Sequence, residues 1–457
     1  MSDGGLRVRD VEVAVVGGGP AGLACALSLA RAGRRVAVID PGGADDDRPG
    51  EHLAPEGVRE LERLAVGFNP SSIGARSPGT RAAWLDSTLR TGSDLFSPYG
   101  PSCLVRRPAL LALLRAQLAH HDVSSIDDRV RAVMAHSDGL TLSLASGGTL
   151  EAQLVLDASG RGARIARQLG ARLLRCDALL GATVKLAPAR PSGLGSPLVE
   201  SAPDGWWYSV VLDDACLLAV YFTDHDATCA EPVWRRWEQA LAATVHTRER
   251  ASNFGAVITR SVRSACSQRL DHMAGERWVA LGDAAMAWDP LSSSGLTNAL
   301  LHAGEAASAT ELALRGQRTA LARYDHRQKL SFARYLADRA RYYRQVERFA
   351  ERPFWQRRRA QVALETPLAL HPHSLLTRTD AAIGIAQVAP GLSASSALQA
   401  LPVRLRAHEA VERLRHATGD AHLGEELIFA LEQLTKRGAL QASTTDALQS
   451  EMLLSSR

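Results

Sequence analysis

Lysine is almost missing from this 457-residue chain: only Lys185, Lys329 and Lys436 stand among 53 basic residues, which face 49 acidic ones. The surplus of +4 is too small over this length to imply a nucleic-acid or membrane partner. Arginine in place of lysine throughout reads as a genome-wide habit and marks no arginine-rich site. Cysteine is sparse too. Cys25, Cys103, Cys176, Cys216, Cys229 and Cys266 lie far apart, with no C-x-x-C pair and no His/Cys cluster at zinc spacing, so neither a disulfide framework nor a metal site is indicated. No run reaches the ~18 uninterrupted apolar residues that a membrane span needs. A basic start (Arg7, Arg9) before apolar residues 11–30 superficially resembles a secretory signal, but Gly17, Gly18, Gly19 and Pro20 interrupt it, and a cytoplasmic protein is expected. What is present is ordinary globular usage, 46% hydrophobic and 22% charged, which excludes a disordered or fibrous chain.

The amino-terminal pattern is the most informative. VEVAVV (11–16) suits a buried parallel strand, GGGPAG follows at 17–22, LACALSLARAG predicts a helix ending at Gly33, and VAVID (36–40) supplies a second strand. In such a βαβ unit Gly17 allows the tight turn, Gly19 lets the backbone approach a pyrophosphate, and Gly22 packs helix on strand, while Pro20 and Ala21 open the helix. The helix N-terminus faces the anion. Asp40 ends the second strand, where a carboxylate accepts hydrogen bonds from a ribose; with no basic residue adjacent, FAD or NAD is preferred to NADP. A glycine-rich turn without ligand is the alternative.

Residues 129–157 carry three β-like runs, RVRAVMAH, LTLSLAS and TLEAQLVLDAS, separated by turn signals, and predict a meander that ends at Asp157-Ala158-Ser159-Gly160. Further on, RWVALGDAAMAWDPLSSSGLTNALLHAGEAA (277–307) predicts a buried strand, a Gly282-Asp283 turn, a loop and an alanine-rich helix.

These three segments resemble, in order and spacing, the three FAD fingerprints of the single-component flavoprotein monooxygenases related to para-hydroxybenzoate hydroxylase. The resemblance covers residues 10–345. It implies that Asp283 holds the ribityl chain or pyrophosphate and that Arg107, or Arg106 beside it, reaches the flavin. The variant DASGR, in which Gly160 replaces the glycine that commonly follows Asp157 directly, is similar to the tryptophan-halogenase-like branch, as are GEHLAP (50–55) and DPLSSSG (289–295). By that likeness Asp289 and Pro290 shape the ring pocket, Ser292, Ser293 and Ser294 are backbone donors that polarise the flavin oxygens, and Gly295 is a further cofactor-binding residue. Residues 78–100, 205–210 and 334–358 resemble flavoproteins encoded with tryptophylquinone-containing amine dehydrogenases and amino-acid oxidases, nearest the monooxygenase type of quinohemoprotein amine dehydrogenase biogenesis. Such proteins oxygenate a tryptophan inside a partner polypeptide.

The family resemblance implies that reduced FAD activates O2 as a C4a-hydroperoxide, with NAD(P)H or a partner flavin reductase as electron source. Few catalytic side chains are then required. Glu51 and His52 are the polar candidates beside the ring; Glu51 is equally a helix-start carboxylate and His52 a solvated loop residue. Trp206, Trp207 and Tyr208 are candidates to stack on an aromatic substrate, although strand neighbours face opposite ways and one of the pair belongs to a core. The branch's halogenases keep a lysine within the segment matching 71–95, and this chain has none there, so hydroxylation is favoured over halogenation.

The expected architecture is α/β: a Rossmann-like FAD-binding domain over 1–180 and 266–345, an inserted β-sheet substrate domain over 181–265, and a helical appendage over 346–457. The arginines between 334 and 359 read as a solvated, carboxylate-paired helix face or, more sharply, as a docking surface for an acidic protein. His371-Pro372-His373 is not a credible metal pair. The expected activity is hydroxylation of a protein-borne aromatic residue, tryptophan first. The alternatives are a halogenase-like or small-molecule aromatic hydroxylase with a partner reductase, and a flavin-binding chaperone without turnover.

Overall fold

The structure is a computed structural model that describes residues 9–43, 52–65, 67–77, 79–92, 100–189, 195–212, 215–225, 232–360, 362, 375–379, 387–389, 392–418, 424–436 and 439–443. The chain divides into two compact units, Met1–Glu311 with Phe332–Ala363, and Leu312–Ser331 with Leu364–Arg457.

The first unit is built on a sheet whose parallel strands stand in the order Val123–Ile126, Val36–Ile39, Arg9–Val16 and Thr149–Asp157. The long Thr149–Asp157 strand serves two neighbours on its other side. Its first residues pair with the antiparallel strand Leu140–Leu144, which in turn pairs with Val130–Ala135, and its last three pair in parallel with Trp278–Ala280. Burial follows this arrangement: Val36–Ile39 is buried at every position, as a parallel strand covered on both faces must be, whereas Leu140–Leu144 alternates.

The sheet expected over 181–265 is present and larger than expected, with the order Phe254–Ser264, Leu179–Pro188, Leu217–Asp224, Gly205–Val211, Leu198–Ala202, Thr80–Ala83, Arg90–Gly92. The last two strands come from far upstream. Alternation sends adjacent indoles to opposite faces: Trp206 enters a cluster with Trp84, Tyr343 and Trp355, and Trp207 one with Tyr221 and Trp237. The helix Val233–Ala242 brings Trp237 to the second face.

One expectation is corrected. The region beyond 346 is not a purely helical appendage. Residues 346–360 belong to the first unit, and the second unit combines the helices Ala407–Ala417 and Gly424–Lys436 with a sheet of Arg404–Arg406, Leu375–Arg378 and Leu440–Ser443 around Leu376, Leu414 and Leu431. Strands of three or four residues are too short to leave a readable period. Several arginines of 334–359 fit the carboxylate-paired reading of that run. Arg339 pairs with Asp177 and Asp289, Arg352 with Asp204, and Arg357 and Arg358 with Asp224, while Arg348 donates to the Ser201 carbonyl.

Where the chain leaves for the insertion and returns from it, Leu173–Arg175 pairs with Gln268–Leu270, and Arg172 donates from Nε to Asp271 Oδ2 at 2.8 Å. Burial opposes ionisation of Asp271, but the bonds from Arg172 prevail and hold its carboxyl at about 2. A carboxyl depressed in the folded state adds stability that is present above its unfolded value of 3.8 and is lost as pH falls toward 2. Arg172 is largely exposed, so Arg172→Ala is expected to cost only about 0.5–1 kcal/mol at neutral pH. In urea titrations the gap from the parent protein should close between about pH 4 and pH 2; a gap that widens on acidification would contradict this.

Candidate functional site

Three turns meet at the carboxyl ends of the parallel strands. The Gly17 N–H donates to Ile39 O at 2.8 Å, the Ala158 N–H to Val16 O at 2.9 Å, and the Leu281 N–H to Asp157 O at 3.0 Å. These bonds hold the glycine turn, the 157–160 turn and the Gly282-Asp283 turn side by side in a crevice of the kind where open α/β sheets bind ligands.

The glycines have separate tasks. Gly17 has φ +118°, and a Cβ there would meet Ala158 O at 2.3 Å. A Cβ on Gly22 would meet Gly17 O at 1.9 Å, which is the close approach of helix to strand. Gly19 differs: a Cβ there would meet nothing within 4 Å, so this backbone faces open space. Gly19 is also the N-cap of the helix Pro20–Arg31, with Pro20 and Ala21 in its first turn, and no side chain caps the exposed N–H groups. An uncapped helix end beside a side-chain-free cradle fits a pyrophosphate. Gly295, at the start of the helix Gly295–Leu314, likewise faces open space.

The Asp40 carboxylate lies against Gly18, since a Cβ there would sit 2.2 Å from Asp40 Oδ2. Arg115, distant in sequence, places Nη2 3.9 Å from the same oxygen, so Asp40 does have a basic neighbour that adjacency did not reveal. Asp157 is fully buried and its carboxylate is used internally. It accepts from Ser159 N at 2.9 Å, Ile165 N at 2.9 Å and Ala166 N at 2.8 Å. Burial pushes its pKa above the usual range against the pull of these donors. Gly160, at φ +76°, turns the chain onward to Arg161. Arg161 joins the second and third turns: its Nε lies 3.7 Å from Oδ2 of the half-exposed Asp283, and its Nη1 donates to Cys266 O at 2.7 Å.

The loop after the third turn is anchored from below. Asp289, 1% exposed, caps the short turn Pro290–Ser292 by accepting from Leu291 N at 3.0 Å, and Ser293 follows at φ +50°. Ser294 Oγ donates to Ser292 O at 2.8 Å. The other Asp289 oxygen accepts from Tyr343 Oη at 2.8 Å and lies 3.4 Å from Arg339 Nε, while the Asp289 N–H donates to Tyr335 Oη at 2.7 Å. Burial raises the Asp289 carboxyl above its usual range, with Arg339 opposing. Tyr335 and Tyr343 were not singled out from sequence, and Arg339 was read only as one of the arginine run, although their spacing of four puts the three on one helix face.

His52 lies in a small sheet in which Cys103–Val105 runs between His52–Leu53 and Gly74–Arg76, and the candidate arginines follow its central strand. His52 pairs with Leu104, and the Ala54 N–H donates to Thr297 Oγ1 at 3.0 Å, which ties this loop to the helix that begins at Gly295. Arg107 opens the next helix and is half-buried, whereas Arg106 is exposed. Glu51 lies outside the described residues. Trp206 and Trp207 are 1% and 0% exposed, so both indoles are core and neither presents a face to a substrate; Trp206 Nε1 donates to Tyr343 Oη at 3.0 Å. Tyr208 is half-buried on the Trp206-cluster side of the sheet.

The family model described as "FAD binding domain" matches residues 10–340. LodB of Marinomonas mediterranea, named as an FAD-dependent oxidoreductase, is 26% identical over 371 residues, covering 78% of this chain and 99% of LodB. Among solved structures, the peptidyl tryptophan dihydroxylase QhpG, essential for tryptophylquinone cofactor biogenesis, shares the fold at TM-score 0.64 and 21% identity over 94% of this chain and 100% of its own. The flavin-dependent halogenase CmlS does so at TM-score 0.67 and 19% identity, over 96% and 97%.

Gly19 and Gly22 separate binding from folding. Gly19→Val has room for its side chain and should leave the melting temperature of the coenzyme-free protein unchanged while weakening FAD binding at least about tenfold, the equivalent of 1.4 kcal/mol. Gly22→Ala should instead lower the melting temperature itself, because its Cβ meets backbone. Unchanged FAD affinity in Gly19→Val would place the coenzyme elsewhere. With a family model that spans all three turns and a crevice that fits its coenzyme, this chain belongs to the FAD binding domain family and is an FAD-dependent oxidoreductase of the flavoprotein monooxygenase fold.

Proposed function

We propose that this oxidoreductase hydroxylates a tryptophan side chain of a protein or peptide during tryptophylquinone formation. The observation that carries this reading is the lysine-free segment 71–95 in a chain that shares the QhpG fold over 94% of its length. The halogenase CmlS has the same fold, so fold alone does not separate the two chemistries, and the missing lysine favours hydroxylation.

FAD, when bound and reduced, supplies the activation of dioxygen and the oxygen transfer. The chain's own residues bind, orient and exclude water. The Gly17–Gly22 turn and the following helix end take the pyrophosphate, Asp40 the ribose, and Asp283 the ribityl chain or pyrophosphate, while Asp157 and Gly160 shape the second turn. Pro290, Ser293, Ser294 and Gly295 form the bed of the ring, and Arg107 approaches it from the small sheet. Glu51 and His52 are the polar candidates for the oxygen-transfer site. An indole is electron-rich enough to react without prior deprotonation, so no strong general base is required. Of the aromatic trio, Tyr208 remains the substrate-side candidate. Reducing equivalents come from NAD(P)H or a partner reductase.

The test supplies electrons chemically, so it does not depend on the natural donor. Reduced holoprotein, dioxygen, chloride and a tryptophan-bearing peptide are mixed, and the peptide is weighed by mass spectrometry. Gain of oxygen mass on tryptophan is the expected outcome. Gain of chlorine mass would establish the halogenase reading instead, and an unchanged peptide that is bound would establish a maturation chaperone.

A further inference from the structure

A small cavity lies where the helix His246–Ala251 meets the seven-stranded sheet, and its lining shares no residue with the coenzyme crevice. Arg81, Leu198 and Ser209 are register partners on three neighbouring strands and form one row across the sheet. Arg250 of the helix reaches this row. Ser209 alternates with Trp207 and Val211 and so shares their face, opposite the face on which Trp206 meets Tyr343.

The charge of the cavity is not balanced from within. Arg250 Nη1 donates to Ser209 O at 2.9 Å and Nη2 to Ser196 O at 3.0 Å, while its Nε bonds to no described group. Among the described residues no carboxylate bonds to this half-buried guanidinium. The charged group that acts on it most is another cation, Arg81, and burial together with that repulsion lowers Arg250 to about 10. Arg81 is exposed, and its own guanidinium bonds to no described group. The more deeply buried Arg339 and Arg358 are each neutralised, by Asp177 with Asp289 and by Asp224. Here the acids of the surrounding elements are committed. Glu200 caps the helix, accepting from Val245 N at 2.9 Å and Thr247 N at 2.7 Å, and Asp86 is held by Arg90 at 2.8 Å. His246 spends Nε2 on the Ser87 carbonyl at 2.8 Å. Glu249 is the acid of the lining, so two guanidinium groups face one carboxylate.

We propose that this cavity binds a small monocarboxylate with an apolar body, its carboxylate held by Arg81 and Arg250 with the Asn253 amide beside them and its body against Leu89 and Leu198. A guanidinium withdrawn from water is costly without a counter-charge, and an anion taken from solution supplies it. The planar fork of arginine matches a carboxylate. A surplus of one positive charge suits a single negative charge, whereas a dianion such as phosphate would exceed it beside Glu249 and would leave the two leucines uncovered. The cavity measures about 230 Å³, below the ~300 Å³ at which drug-sized ligands begin, so the occupant is short. This inference does not rest on the hydroxylation reading.

The test uses the full-length protein with FAD bound and three probes in calorimetric titrations: isocaproate, its uncharged amide, and inorganic phosphate. Isocaproate should bind saturably with a Kd below about 10 mM, and the amide at least about tenfold more weakly. Arg81→Gln removes a guanidinium that makes no internal bond. It should leave the melting temperature and the flavin spectrum unchanged while weakening isocaproate at least about tenfold. Glu249→Gln removes the competing carboxylate and should tighten binding. No binding of isocaproate, equal binding of the amide, phosphate bound more tightly than isocaproate, or unchanged affinity in Arg81→Gln would each overturn the assignment.

Discussion

The coenzyme crevice depends on one constraint, the lateral register of three parallel strand ends. Val16, Asp157 and Ala280 lie side by side, and each turn begins where its strand's last backbone bond is spent. A slip of one residue would exchange the faces of every side chain beyond it. Asp157 secures the register from both ends of its own residue: its carbonyl accepts the first N–H of the third turn, and its buried carboxylate closes the second turn on the N-terminus of the helix Arg164–Gln168. A buried carboxylate is tolerable when several N–H donors satisfy it, and three do so here.

A second buried carboxylate carries the same logic to the ring loop. Asp289 sits at the centre of a network that includes Tyr343, Arg339 and, through Arg339, Asp177. Tyr343 also accepts from Trp206, so the loop 290–294 is linked through one phenol to the core of the substrate sheet. Burial and the adjacent Asp289 charge keep the Tyr343 hydroxyl protonated far above its usual range, so it can donate to Asp289 at any ordinary pH. The loop 290–294 and the seven-stranded sheet are thus joined through buried side chains, Asp289, Tyr343 and Trp206.

Much of this was legible in the sequence, for a local reason. Gly17, Gly22 and the β-rich run before them must be adjacent in the chain to act, so their pattern survives in one dimension, and the meander of 130–157 declares itself through period-two alternation and turn residues. Asp157 was legible as a motif but not in its work: hydrogen bonds to Ile165 and Ala166 depend on where a helix starts in space. Asp40 shows the same limit, because Arg115 reaches it from a different helix. Trp206 and Trp207 look like an aromatic platform in sequence, and only the two-sided burial of their strand makes both of them core. The strands at 80–83 and 90–92 escaped notice because a short edge strand is defined by its neighbour more than by its own residues.

The near absence of lysine bears on how the arginines must be read. A guanidinium is less strongly hydrated than an ammonium and binds carboxylates and carbonyls through a planar fork, so it can be sunk into a protein as a cross-link at lower cost. Arg34 clamps Glu311 and Glu12, Arg358 joins Asp224 beneath the ring of Phe354, and Arg250 donates to the Ser209 and Ser196 carbonyls. In a chain that relies on arginine for its internal ties, a run of arginines is not evidence of a charged docking face. The arginines of 339–358 have carboxylates and carbonyls already in place as partners, and Arg260, on the edge strand of the large sheet, lies 3.9 Å from Glu238 and over the ring of Trp234.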